Sequence, residues 1–370
     1  MIINEIIMEA AGGARIQHLE DLIIWDGAAG AQKAITSLHG LESNPGDTTI
    51  KWDGSPAVIF GRNENGEFIL SDKSGFGAKG YDGKAKSADE LEAMFKNRPG
   101  YTKNPEAYGP FVANMKSVWP AFEASTPEGF RGYVFGDLLW FNTPQLQDNR
   151  IVFQPNTTAY SVDPSSAIGK EIANSKAGVV LHGHMDFENN KGPVDTSIFT
   201  DGELLVMPPQ VVTQAPDVKS AELVKLEGFV KSAANDIDAV LAPPAELKMK
   251  NLPDIIYMYM NSLAKTGNTD KIGSKHFVQW LPTAKVSAVK LQRLVPYLQQ
   301  HQRGLDAIFA FIRTITPIKN DIIAQLDAHP ADIEATTGGN KGGEGYVIGK
   351  DVKLVNRSGF TAANAERNNN

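Results

Sequence analysis

Residues 48–61 read TTIKWDGSPAVIFG, a run of strand-forming, largely apolar residues that carries Lys51 and Asp53 two positions apart. The pattern predicts a strand over residues 50–59. Alternation then sets Thr49, Lys51 and Asp53 on one face and Ile50, Trp52 and Gly54 on the other. A lysine facing a partly enclosed, charged pocket can be a charge partner, a phosphate ligand or a nucleophile, the last when desolvation or nearby cations depress its pKa. A surface lysine ahead of an Asp-Gly turn reads the same over four residues, so the rest of the chain has to decide.

Working outward, residues 67–71 form a second β-like run, joined to the first by RNENG, whose Asn65-Gly66 pair is a hairpin signal. Helical spacing marks residues 18–41, interrupted near Gly27, then 87–97 and 106–124, while residues 132–141, 149–155, 177–182 and 203–207 are strand-like. From about residue 218 to 328 the chain turns helical, with four or five amphipathic stretches separated by Pro and Gly. After the glycine-rich TTGGNKGGEG come two strand-like pieces, YVIG and DVKLVNRSGF. The expected fold class is therefore α+β, with mixed antiparallel sheets built from residues 1–215 and 330–370 and an all-α insert at 216–329.

Composition bounds the function. With 370 residues, 42% of them hydrophobic, the chain can bury a full core, and its lack of cysteine excludes thiolate catalysis, Cys-based zinc sites and disulfides. No apolar run is long enough to span a bilayer, and MIINEIIMEAAGGAR lacks the basic start of a signal peptide, so a cytoplasmic protein without a membrane partner is expected. Charge is unevenly spread. Between Lys248 and Lys319 eleven Lys/Arg face three Asp, so this stretch carries +8 in a chain of net −7 and the remainder carries −15. Within it, Lys275, Lys285, Lys290 and Arg293 interleave with Phe277 and Trp280, a pattern suited to following phosphates. A solvated face on a core-packed bundle would give the same pattern. His182 and His184 in LHGHMDF share a strand face, but no third ligand at metal-like spacing accompanies them. GGNKGGEG lacks the order of a P-loop.

Four elements in order resemble the covalent nucleotidyltransferase superfamily, which contains ATP-dependent DNA ligases, RNA ligases and capping enzymes: KWDGSPA at 51–57, FGDLLWF at 135–141, EGYVIGK at 344–350 and VKLVNR at 352–357. The resemblance implies a ligase adenylation domain. In that chemistry a lysine attacks the α-phosphate of ATP, expels pyrophosphate and becomes lysyl-AMP; the adenylate passes to a 5′-phosphate end, which a 3′-hydroxyl then seals. Positioning, metal ions and cations around phosphate carry each step.

Carried over by motif, Lys51 is the implied nucleophile, with Asp53 orienting it or contacting the ribose region, and Ile50 lies beside it in the nucleotide-binding motif. Asp137 stands where the family has glutamate, near ribose and metal; Glu344 is a carboxylate for Mg²⁺; Lys353 meets the α-phosphate. Lys73, with Ser71 or Ser74, falls where a basic residue holds a phosphate, and Tyr160 and Phe187 are candidate aromatic walls for the base. The chain departs from the pattern at Pro56, where the family often has Arg, for which Arg62 is a substitute. It departs again at Val355, where a second Lys is common and Lys350 or Arg357 stands in. Only 17 residues follow Lys353, too few for the oligonucleotide-fold domain of family DNA ligases, so the helical insert is expected to act as clamp. The expectation is a monomeric, ATP- and Mg²⁺-dependent polynucleotide ligase of bacteriophage type, sealing nicks in DNA-containing duplexes. An RNA ligase or capping-type enzyme is the alternative within the superfamily, and a noncatalytic nucleic-acid-binding or virion-associated protein is the alternative outside it.

Overall fold

The computed structural model describes residues 16–77, 84–199, 202–247, 252–284, 286–328, 333–349 and 351–357. The chain is mixed α+β and separates into two compact units: residues 1–51, 211–329 and 344–370 in the first, residues 52–210 and 330–343 in the second. The helical stretch thus shares its unit with the first helix and a sheet. The division falls at 51/52, 210/211, 329/330 and 343/344: the expected ends of the helical stretch, 215/216 and 329/330, lie at or near two of these, but residues 1–51 and 344–370 go with the helices and not with the rest of the expected adenylation domain. The reason lies in where apolar faces are buried.

In the first unit four strands pair in the order Gln17–His18, Val352–Leu354, Gly345–Ile348, Thr48–Lys51. Alternation turns Ile50, Tyr346, Ile348, Val352 and Leu354 onto a core built from the helices Leu22–Ser43, Ser220–Leu241, Leu252–Thr266, Ser274–Trp280, Ala288–Gln300 and Gln302–Ala328. Without those helices that sheet face would be exposed to water, at roughly 25 cal/mol per Å² of apolar surface. The first helix breaks at Gly27, whose φ is 59°. The break is held by Asp238, which accepts from Ala28 N–H at 2.8 Å and sits so close that a Cβ on Gly27 would lie 2.2 Å from its Oδ1.

A buried ionic group ties this sheet to the last helix. Lys319 is 0% exposed and donates from Nζ to Glu20 Oε1 and to the Val355 carbonyl, both at 2.8 Å. Arg357 is ion-paired with buried Asp21. Burial opposes ionisation of Glu20, but Lys319 and Arg357 outweigh it and hold its carboxyl below the usual range. The Nδ1 of His18 is buried beside the group; burial first, then Arg357, Lys353, Lys319 and Lys51, push its pKa well below the ordinary 6.5.

The second unit has a six-stranded sheet in the order Lys191–Gly192, Ala177–Met185, Gly132–Trp140, Ala57–Arg62, Phe68–Asp72, with Leu204–Met207 parallel to Ala177–Met185. Helices Ala88–Lys96 and Pro105–Ser125 cover one face through Leu91, Phe95, Met115 and Phe122. Part of the other face packs on a five-stranded sheet, Asn340–Lys341, Ile333–Thr337, Thr158–Val162, Arg150–Phe153, Gln145–Gln147, around Trp52, Trp140, Phe153 and Tyr160. Among the described residues no helix is long and apolar enough to cross a membrane.

One expectation fails at the opening stretch. The strand predicted over residues 50–59 is two strands, Thr48–Lys51 and Ala57–Arg62, in different sheets. Pro56 offers no ladder donor, and Asp53 draws the intervening chain inward by accepting from Asn156 Nδ2, Thr157 N and Thr158 N at 2.6–2.7 Å. Lys51 and Asp53 therefore do not share a strand face.

Lys319→Met leaves Glu20 buried without its ammonium partner and should cost about 3–5 kcal/mol in chemical denaturation, with Glu20→Gln added to Lys319→Met recovering part of the loss. An undiminished stability would refute the tie. Because the folded His18 pKa lies below its unfolded value, the unfolded chain binds the extra proton. Stability should then be full above about pH 6.5 and fall on acidification, with a slope of at most about 1.4 kcal/mol per pH unit from this group. His18→Gln should flatten that part of the stability–pH curve.

Candidate functional site

On the sheet of the first unit, the face turned away from the helices carries the motif residues. Lys51 ends its strand opposite Gly345 in register, and its Nζ is ion-paired with Glu344, the residue before Gly345. Both side chains are partly buried, at 26% and 14% exposed. The glycine is required here: its φ is 140°, and a Cβ would lie 2.0 Å from the Leu354 carbonyl oxygen, so only glycine lets the strand approach while Glu344 reaches Lys51. Thr49, Val347, Lys353 and His18 form the next row across the four strands. Lys353 thus lies on the same face as Lys51, two strands over, roughly 10 Å in the pairing direction. The pKa of His18 is lowered first by burial and then by nearby cations, Lys353 and Lys51 among them. Ile50 lies on the opposite face, as alternation sets it, and its side chain packs against the helical core and not beside the Lys51 ammonium.

In the second unit, the site candidates divide into structural and exposed groups. Asp53 is 4% exposed; its carboxylate is taken by Asn156, Thr157 and Thr158, and its N–H donates to the Tyr160 hydroxyl at 2.8 Å. Tyr160 is 1% exposed, with Trp52 and Phe153 at ring-centroid distances of 4.7 and 5.4 Å, which leaves no open face for a base. Ser71 is wholly buried and donates to the Asp72 carbonyl. Arg62 donates to the carbonyls of Pro127, Gly66 and Thr126, and Arg357 belongs to the buried ionic group of the first unit, so neither substitute for the missing family cations is available. Lys350 lies outside the described residues.

Asp137 is different. Its side chain is 23% exposed, and Oδ2 lies 2.9 Å from His182 Nε2. The strand register shifts between Phe135 and Gly136, leaving His182 without an opposite residue and directing its ring at Asp137. Gly54 makes room: a Cβ there would lie 2.4 Å from that of Asp137. Lys73 opens the short helix Lys73–Gly77; burial, against the pull of Asp137 and with help from Lys191, lowers its pKa. His184 contacts the Pro193 carbonyl instead, so the two histidines do not converge. Among the described residues no group of three or more His, Asp or Glu could hold a metal, and Asp137 and Glu344 each offer a single carboxylate. The sequence shows His182 only as half of a metal pair; its partnership with Asp137 depends on the bulge, which no local pattern announces.

On the helices, Lys275 and Arg293 are exposed and Lys290 is partly exposed, the last two sharing a face of Ala288–Gln300 at a spacing of three. Lys285 lies outside the described residues. Phe277 is fully buried and Trp280 packs on the same core, so the interleaved aromatics are core residues and not stacking platforms. Lys319, counted among the basic eleven, is buried.

If Asp53 is a structural bracket, Asp53→Ala orphans two buried backbone amides and should lower the stability of the second unit by at least about 2 kcal/mol in urea unfolding. A stable Asp53→Ala protein would return this carboxylate to the list of reactive groups.

No curated protein and no solved structure matches the chain. The model of a family of unknown function, DUF6267, matches residues 14–368, and the chain belongs to that family.

Proposed function

We propose that Lys51 is the nucleophile of a nucleotidyl transfer from ATP and that the protein is a polynucleotide ligase. One observation carries the reading: Lys51 shares one sheet with Glu344 and Lys353, from which it is distant in sequence, with Glu344 in contact with the Lys51 ammonium and Lys353 two strands over on the Lys51 face. An ammonium cannot attack, so Lys51 must first lose a proton, and the Glu344 carboxylate is the acceptor beside it. The neutral amine then forms a P–N bond to the α-phosphorus as the P–O bond to pyrophosphate breaks and its electron pair leaves with the pyrophosphate. Lys353 sets positive charge on the same face for the phosphate oxygens. A 5′-phosphate end would next displace Lys51 from the adenylate, and a 3′-hydroxyl would displace AMP to leave a phosphodiester.

Glu344 fits a Mg²⁺ that arrives with ATP, since that ion takes one or two carboxylates plus phosphate oxygens. When bound, it would neutralise phosphate charge. Asp137, His182 and Lys73 form a separate polar cluster within the second unit, and Lys275, Lys290 and Arg293 of the first unit are the candidate contacts to a polynucleotide backbone. A noncatalytic nucleic-acid-binding role is the second reading, favoured by the engagement of both Arg62 and Arg357 in structural bonds.

Intact mass after incubation with Mg²⁺ and ATP, with GTP and NAD⁺ in parallel, tests the reading. The expected outcome is a gain of one AMP from ATP, lost in Lys51→Ala and reduced at least about 100-fold in rate in Glu344→Gln. An adduct on Lys51→Ala, or none on the wild type with any donor and none carried through purification, would sink it.

A further inference from the structure

At the far end of the larger sheet in the second unit lies a cleft of about 460 Å³, lined by none of the four motifs but by Phe187, the one candidate aromatic wall that the fold leaves exposed. That volume falls within the roughly 300–1,000 Å³ of sites for small organic groups. Three aromatic rings build it. Tyr133 forms the floor; Phe76 stands edge-on to it at 4.9 Å and Phe187 at 5.8 Å. Phe187 packs on Tyr133 on one side and is still 39% exposed, so part of its ring is open to a ligand.

Rigid turns flank the rings. Asp186 fixes the turn that carries Phe187 by accepting from the backbone N–H groups of Glu188 and Asn190 and from the Asn190 side chain, all at 2.8–2.9 Å. Asn63 fixes the opposite hairpin by accepting from Asn65 N and Glu67 N. Asn65, Asn189 and Glu64 add amide and carboxylate groups to the lining, and the Lys84 ammonium stands 4.9 Å above the Phe76 ring.

We infer that this cleft holds one unpaired nucleobase of a polynucleotide, a reading that rests on the proposed function and narrows its substrate to ends with a single-stranded base. The Phe76 and Phe187 rings in the lining supply stacking, amide and carboxylate groups meet the polar base edge, and the rim lysine meets a phosphate. Further cations continue along the same sheet face: Lys191 lies over Phe135 at 5.4 Å, and Lys73 follows near Asp137. A purely apolar ligand would leave the amides and Glu64 unpaired. A free nucleoside triphosphate would need several phosphate donors in one place, whereas among the described lining residues the cleft has one lysine.

The experiment uses the full chain and a 5′-phosphorylated 12-mer, as DNA and as RNA, carrying 2-aminopurine at one position in turn. Stacking should quench the fluorophore at one position near the end. Phe187→Ala should remove that quench and weaken binding about five-fold or more, and Phe187→Trp should restore both. Equal quenching and affinity in wild type and Phe187→Ala would overturn the inference. Complete displacement of the strand by equimolar AMP would also overturn it, by making the cleft a mononucleotide site. Wild-type self-adenylation is read separately: an adduct without position-specific quenching defeats this inference alone, and quenching without an adduct defeats the ligase reading alone.

Discussion

The pairing of Thr48–Lys51 with Gly345–Ile348 is the constraint from which the first unit follows. A strand of four residues has little stability of its own, and here it is fixed by ladder bonds on one edge and by a helical core beneath. The same pairing brings Glu344 to Lys51 and lines up Thr49, Val347 and Lys353 in one row. Were the register to slip by one residue, Lys51 would turn toward the leucines and isoleucines of the core, and the desolvation cost of its charge would resist that arrangement. Charge placement and register thus enforce one another.

The second unit solves a different problem. Its larger sheet has one face fully covered by helices and the other only partly covered by a smaller sheet. The uncovered part of that face holds polar groups that water can reach, Asp137 with His182, Lys73 and Lys191, beside a ring cluster in which Tyr133 is buried and Phe187 exposed. Two irregularities make that face chemically usable. The bulge aims His182, and Gly54 lets the chain after Lys51 run against Asp137 without a side chain between them.

Periodicity in the sequence was enough to show the helix broken at Gly27, the hairpin at Asn65-Gly66, the strands around residues 132–141 and 177–182, and the helical stretch after 218, because each has a local cause. Thr158–Val162 and Ile333–Thr337 escaped because each is only five residues long and pairs with a partner about 175 residues away in the sequence. Motif order singled out Lys51, Glu344 and Lys353, and the fold brings these residues to one sheet, with Glu344 ion-paired to Lys51. It misled where a residue's task depends on distant partners: Asp53 and Tyr160 brace each other inside the fold, and Arg357 answers a carboxylate at Asp21 that no spacing links to it. Buried ion pairs across such separations leave no periodic trace.

The discontinuous make-up of the first unit has a consequence for the order in which the molecule can form. During synthesis the second unit has residues 52–210 in hand, and the order Ala177–Met185, Gly132–Trp140, Ala57–Arg62, Phe68–Asp72 can close within that stretch. Lys51 leaves the ribosome early but acquires its neighbouring strand only when residues 345–348 emerge, after all the helices. The partner of its amine is therefore delivered only after the described helices, and a nascent chain cut short before that point carries the lysine without the carboxylate beside it.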